Sequence, residues 1–364
     1  MFYEVERPHF GGNMFKLNFE KIKEEYRSVD MKPSPLFDED GDDSFTSQML
    51  VGGKPSGIVN MNTVRHQWAV TIFNKMWSQF WQPQFVDMSP DKLSVSQLTK
   101  HELQAHYDTI SFLAFMDSFQ QNNLPNLFEY CTSPMVKSCG SVQEAFEAMH
   151  TQAYQYSIEA TVPLNMRDSI YNRWKENPLL KHRIKTMTEL AEKFKADPTF
   201  ENYYILLMMN YILEGKYFYQ GFNYYDQLAH RGKLTGTSKQ IDYIRRDELS
   251  HMGLFIHKIK ELGVDDELAH KMFMWAFKEE EKWNHAVYGD NILGMSKKSQ
   301  TQYGKWLCND RLARLGVAPL FENVENPYIH LEQSSQEGSV RESFFETTVT
   351  SYDTAGSIDG WDDV

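Results

Sequence analysis

The stretch from Ile241 to Ile259, IDYIRRDELSHMGLFIHKI, constrains this chain more than any other. Read at helical spacing, Ile241, Ile244, Glu248, His251, Phe255 and Ile259 fall on one stripe, so a glutamate and a histidine occupy the face that should be core. Burying both is costly unless something pairs with them. A carboxylate and an imidazole one helical turn apart, pointing into a bundle, form a grip for a metal ion.

Glu-x-x-His is a short pattern in a chain with 12 histidines, and about one match is expected from ordinary glutamate usage. It occurs at Glu147/His150, Glu248/His251 and Glu267/His270. Two copies are set apart by a single acid ahead of each: Asp117 stands 30 residues before Glu147, and Glu214 stands 34 residues before Glu248. The chain therefore carries two similar halves, each an acid on one helix and Glu-x-x-His on a later one. The third copy has no such acid, falls at a helix start beside Asp265 and Asp266, and reads as a surface pair near the N-terminal dipole.

The remaining pattern predicts an all-α chain. Helices are expected over Asn62–Phe80, ending in FWQP because Pro83 and the residue before it favour a stop, and over Ser96–Phe119, with Asp117 on the stripe of Leu103, Ile110 and Leu113. Gly140-Ser141-Val142-Gln143-Glu144 reads as a capping box opening the helix of Glu147, His150 and Tyr154, three side chains that share one face. Further helix is expected over residues 166–195. Asp197-Pro198 then reads as an N-cap and N1 proline for an apolar helix through Tyr225, which buries Glu214 among Tyr211, Phe218 and Phe222. A second capping box at Thr237-Ser238-Lys239-Gln240 opens the Glu248 helix, with Gly263 as its terminator. Helices over Asp265–Ala286 and Lys297–Leu315 complete the set. Trp81, at a helix end, reads from spacing alone as a packing anchor.

Four of these helices can bring Asp117, Glu147, His150, Glu214, Glu248 and His251 together as a six-ligand site. Four carboxylates neutralise two 2+ ions, and an oxygen-rich shell with two imidazoles suits iron or manganese. Composition removes several other classes. A net charge of −13 argues against nucleic acid, and MFYEVERPHF lacks the basic and apolar regions of a secretory signal. The most apolar window, YYILLMMNYIL, is too short for a membrane span. Cys131, Cys139 and Cys308, odd in number and without CxxC spacing, read as reduced thiols in a cytoplasmic protein. The acidic run FDEDGDD lacks EF-hand spacing and reads as a solvated loop in an irregular segment, residues 1–60. From Glu332 to Val364 there are eight acids and one arginine, a composition expected to stay disordered until the scattered aromatics meet a partner.

The ordered motifs resemble one family, the small, radical-generating subunit of class I ribonucleotide reductase. FWQP resembles its Trp-Pro element; MDSFQ carries the first acid, EAMHTQAY the Glu, His and radical Tyr, LEGKYFYQGF the third acid, and IRRDELSH the final Glu and His. The resemblance covers about Arg65 to Tyr288, with a weaker echo in the tail.

It implies a ferritin-like helical bundle over residues 61–325 with a dimetal-carboxylate centre of iron or manganese, and a tail, residues 332–364, that docks the large catalytic subunit. It implies that the six residues are the metal ligands and that Tyr154 holds a stable tyrosyl radical. Phe218, Phe222 and Ile244 would line the radical's apolar pocket, and Trp81, Asp247 and His150 would form a hydrogen-bonded chain between surface and metal. Tyr352 would continue that path. A homodimer is implied, and a flavoprotein activator if the metal is manganese. Two other readings stay open on the residues: a ferritin-like oxidase or hydroxylase acting on a small organic substrate, and a metal-storage protein.

Overall fold

Long amphipathic segments with few breakers leave the chain one economical solution, helix packed on helix, and that is what forms. The computed structural model describes residues 14–331. Residues 14–326 belong to one compact unit; of a second, only 327–331 are described, a turn followed by helical residues 329–331. Among the described residues the only β pairing is an isolated bridge between Ile292 and Met295.

After short 3-10 turns at Phe19–Lys21 and Glu24–Tyr26, the helices are α1 (Gln67–Ser78), α2 (Ser89–Ser94), α3 (Lys100–Phe128), α4 (Pro134–Thr161), α5 (Arg167–Tyr171), α6 (Arg173–Glu176) and α7 (Pro178–Ala196). They continue with α8 (Phe200–Ile212), a π-helical segment Leu213–Tyr217, α9 (Tyr219–Ala229), α10 (Thr235–Leu262), α11 (Asp266–Val287) and α12 (Lys297–Leu315). The most extensive packing joins α3 to α4, α11 to α12, α10 to α9 and α1 to α4, and α10 also packs on α8, α1 and α4. The core lies where α3, α4, the α8–α9 helix and α10 face one another.

Several helix starts differ from those expected of the sequence, and each difference has a local cause. α3 begins at Lys100 because Thr99 and Glu102 form the capping box, with Glu102 N donating to Thr99 Oγ1 at 3.2 Å and Thr99 N to Glu102 Oε2 at 2.8 Å. α4 begins at Pro134, so Gly140 and Ser141 lie inside the helix rather than at its start. Gly140 is there for space: a Cβ would sit 2.5 Å from Cγ of Phe128, whose ring fills the position. Asp197 ends α7, and Thr199 caps α8 by accepting from Asn202 N. The expected helix over 166–195 is broken into α5, α6 and α7.

α10 starts at Thr235 without help from a Thr237 box. Its cap comes from α2, where the buried Asp91 carboxylate accepts from Gly236 N at 2.7 Å, Thr237 N at 2.8 Å and the Thr237 hydroxyl at 2.6 Å. Gly263 terminates α10 as expected, at φ 112°, a conformation that favours glycine. Asp265 caps α11 through Leu268 N, and α12 spans the expected residues with a Ser296/Ser299 cap.

Candidate metal centre

Each half of the site is built on helices whose polar residues sit on buried faces. α3 supplies Asp117, α4 supplies Glu147 and His150, the π-helical segment supplies Glu214, and α10 supplies Glu248 and His251; all six are fully buried. Their ligand atoms fall into two groups, Asp117/Glu147/His150/Glu248 and Glu147/Glu214/Glu248/His251, with the atoms of each group within 4.8 Å of one another. Glu147 and Glu248 belong to both. The two halves of the sequence thus form two adjoining positions, one imidazole and one outer carboxylate each, joined by two shared carboxylates. Sequence spacing had not distinguished the shared acids from the outer ones.

Both imidazoles present Nδ1 to the cluster. His150 Nδ1 lies 3.3 Å from Glu248 Oε1 and 3.6 Å from Asp117 Oδ2; His251 Nδ1 lies 2.7 Å from Glu248 Oε2 and 3.3 Å from Glu147 Oε1. Both Asp117 oxygens, Glu147 Oε2, Glu214 Oε2, Glu248 Oε1 and His150 Nδ1 are buried without a hydrogen-bond partner. So many orphaned polar atoms in one buried volume would be strongly destabilising alone. They are the atoms that divalent cations would satisfy, and the donor set fits two such ions.

The electrostatics say the same. Burial and the neighbouring carboxylate of Glu147 push Asp117 up to about 7 against the pull of His150. Burial, with Glu248 and Glu147, holds Glu214 well above the usual carboxylate range. Burial also raises Glu248, but His251 and His150 outweigh it and bring that acid below its ordinary value. Both imidazoles are held well above theirs, because the surrounding acids outweigh the burial that favours the neutral ring. The protein thus keeps protons where metal charge would go, and ion binding must release them.

Around this core, Trp81 Nε1 donates to Asp247 Oδ2 at 2.7 Å, and the same oxygen lies 3.3 Å from His150 Nε2. The expected Trp81–Asp247–His150 chain is therefore continuous. Tyr154 is buried on α4, and burial together with Asp117, Glu248 and Glu147 pushes its phenol well above its ordinary value; its hydroxyl has no hydrogen-bond partner. Phe218, Phe222 and Ile244 are fully buried, and the two phenylalanine rings stack at 5.9 Å. Tyr352 lies outside the described residues. The third pair separates as expected: His270 is partly exposed and its Nε2 faces Ala318 O at 2.8 Å.

The model of the ribonucleotide reductase small chain matches residues 58–327. The chain belongs to that family. It is 31% identical to ribonucleoside-diphosphate reductase subunit beta of Treponema pallidum over 87% of this chain and 94% of the relative. The same subunit of Halalkalibacterium halodurans is 30% identical over 88% and 96%. The solved R2 subunit from Clostridium botulinum superposes with a TM-score of 0.81 at 33% identity, over 84% of this chain and 99% of that one. As a ribonucleotide reductase small chain it is an oxidoreductase subunit that works with a large subunit. The fold is the family's ferritin-like bundle, and these relatives support the reductase reading over the oxidase and storage readings. No helix among the described residues is long and apolar enough to cross a membrane.

Two polar side chains of this small chain escaped the sequence reading. Gln143 Nε2 donates to Glu214 Oε1 at 3.0 Å, and Gln120 Nε2 donates to the same oxygen, leaving Glu214 Oε2 free for an ion. Gln143 precedes Glu147 by four residues and Gln120 follows Asp117 by three, so each shares its acid's helical face. That spacing was the available clue. Tyr243, whose ring lies 4.9 Å from Trp81, was missed too, because the contact crosses between chain segments.

Proposed function

We propose that this chain generates and stores a tyrosyl radical at Tyr154 and delivers its oxidising equivalent to the large subunit for ribonucleotide reduction. The observation that carries the reading is the pair of overlapping ligand groups sharing Glu147 and Glu248, with the Tyr154 phenol buried beside them. Two ions of iron or manganese, when bound in the reduced state, would supply the electrons that oxygen activation requires, the oxygen species being the oxidant for Tyr154. Asp117 and Glu214 would serve as outer ligands, Glu147 and Glu248 as shared ones, and His150 and His251 as one imidazole for each ion. For the manganese form a flavoprotein activator would deliver the oxidant.

The chain's own groups define what happens next. Burial of Tyr154 excludes water and reductants, and Phe218, Phe222 and Ile244 make up the apolar lining. Because Asp247 Oδ2 receives the Trp81 indole N–H and faces His150 Nε2, it fixes the imidazole's orientation and gives the indole proton a place to go. The oxidising equivalent would leave through Trp81 and then Tyr352 to a cysteine of the large subunit. In this reading residues 61–325 are the ferritin-like domain, the segment 1–60 precedes it, and residues 332–364 dock the large subunit. The working form is a cytoplasmic homodimer. Three buried free thiols fit a reducing compartment.

The test is low-temperature electron paramagnetic resonance on protein loaded separately with Fe(II) or Mn(II) and exposed to oxygen or superoxide, with Tyr154→Phe alongside. A tyrosyl doublet present in the parent and absent in the variant is expected. Because the hydroxyl has no hydrogen bond to lose, the metal-free variant should unfold within about 1 kcal/mol of the parent, which separates radical loss from misfolding. Metal oxidation with no radical under either oxidant would refute the proposal and advance the oxidase reading.

A further inference from the structure

Of the four acids in the cluster, three stand on uninterrupted α-helix and one does not. Glu214 sits in the π-helical segment Leu213–Tyr217, where one residue more than an α-turn is accommodated and every later side chain is rotated by about 100° relative to a continuous α-helix. Such a segment is less stable than the α-helix on either side of it. Something outside it must hold the register. That support comes from α11 and α12, which provide no ligand themselves.

Arg311 of α12, itself 2% exposed, donates Nε to the Gly215 carbonyl at 2.7 Å and lays its guanidinium 4.5 Å over the Tyr219 ring. Its own carbonyl is held by the Tyr211 hydroxyl at 2.7 Å. Arg311 thus touches the chain before, within and after the π-helical segment. The next residue, Lys216, is fully buried and forms an ion pair with Glu280 of α11. Gly215 permits this close approach, since a Cβ there would lie 2.7 Å from Met252 Sδ and 3.3 Å from the Arg311 side chain. Met252 follows His251, so the clamp reaches α10 beside a ligand.

We infer that Arg311 and the Lys216–Glu280 pair are positioning residues that lock the π-helical register and so set the affinity of the one ion position that uses Glu214. The inference rests on the two-ion reading of the site. It separates from mere packing because only the Glu147/Glu214/Glu248/His251 group contains Glu214. With Arg311 removed, the Gly215 carbonyl is free to seek a partner within the helix, the segment relaxes toward α geometry, and Glu214 rotates away from its Gln120 and Gln143 supports. The Asp117/Glu147/His150/Glu248 group keeps its ligands.

Mn(II) titration of metal-free, full-length protein, following the free-ion resonance signal, measures both positions, with the melting temperature recorded in parallel. The parent should take up two equivalents. Arg311→Met should keep one at parental affinity and weaken the other by about tenfold or more, the range of outer-shell effects on metal binding; Arg311→Lys, which retains a donor, should recover part of the loss. The double variant Lys216→Met/Glu280→Met replaces the buried pair with apolar groups of similar volume, a change proteins often tolerate, and should weaken the same position even if Arg311→Met fails to fold. Two unchanged affinities in a folded variant would overturn the inference and leave the two-ion reading intact. Parallel weakening of both positions, tracking the melting temperature, would overturn it in favour of simple packing. A parent that binds fewer than two equivalents would sink the two-ion reading and the inference with it.

Discussion

Replacing Asp91 by alanine tests whether α10 is held at its start by a side chain from another helix. In the folded protein the carboxylate accepts three hydrogen bonds, from Gly236 N, Thr237 N and the Thr237 hydroxyl. A net value of about 1 kcal/mol per bond gives a loss of about 3 kcal/mol, or roughly 4–5 °C in melting temperature for a domain of this size. The charge itself is not where the benefit lies. Burial raises the Asp91 carboxyl above its ordinary value even though Thr237 and Gly236 pull it down. A carboxyl raised on folding contributes most below its unfolded pKa and loses that contribution as pH rises through the folded one. The alanine penalty should therefore be larger toward about pH 4, near the unfolded value, than at pH 8, and Asp91→Asn, which keeps one acceptor, should cost less than alanine at pH 8. Urea unfolding of the metal-free protein at both values is the assay. The first turn of α10 lies about three turns before Glu248, so metal stoichiometry should stay at two. An alanine variant within about 0.5 kcal/mol of the parent would refute the argument that this cap holds the helix.

Lys258 is fully buried, lies 4.4 Å from the Phe128 ring and has no hydrogen-bond partner for Nζ, and burial pushes its ammonium down to about 8. A lysine lowered on folding destabilises the fold below about 8 and ceases to do so as pH rises toward its unfolded value of about 10.4. Lys258→Met should stabilise the protein by about 1–3 kcal/mol at pH 7 and flatten the rise in parental stability between pH 8 and 10; a variant less stable than the parent would count against this. Asp247→Asn leaves one acceptor for two donors and should weaken Mn(II) at the His150 position by about 10–100-fold, a result that equal titrations would contradict. Glu248→Ala should abolish tight binding at both positions and Asp117→Ala at one, read by Co(II) stoichiometry; identical losses would disprove the shared-ligand assignment.

Much of this protein was legible in one dimension. Polar residues on an apolar helical stripe have few physical excuses, so Asp117, Glu147, His150, Glu214, Glu248 and His251 could be selected before any distance was known, and family resemblance added Tyr154, Trp81 and Asp247. The extent of α12 and the terminator Gly263 were legible for the same reason: they depend on residues close in sequence. What failed was whatever a distant segment supplies. Gly140 looked like a helix start because its other role, making room for Phe128, is visible only once α3 and α4 meet. Thr237 looked like a cap, yet Asp91 caps the helix from 146 residues away. The π-helical register at Glu214, the glutamines that hold that acid, and the division of the four carboxylates into two shared by both groups and two belonging to one group each were likewise decided in three dimensions. Helical periodicity determines which face a side chain takes, because rise and twist are fixed by the backbone; its partner there is set by packing between segments, which no local pattern encodes.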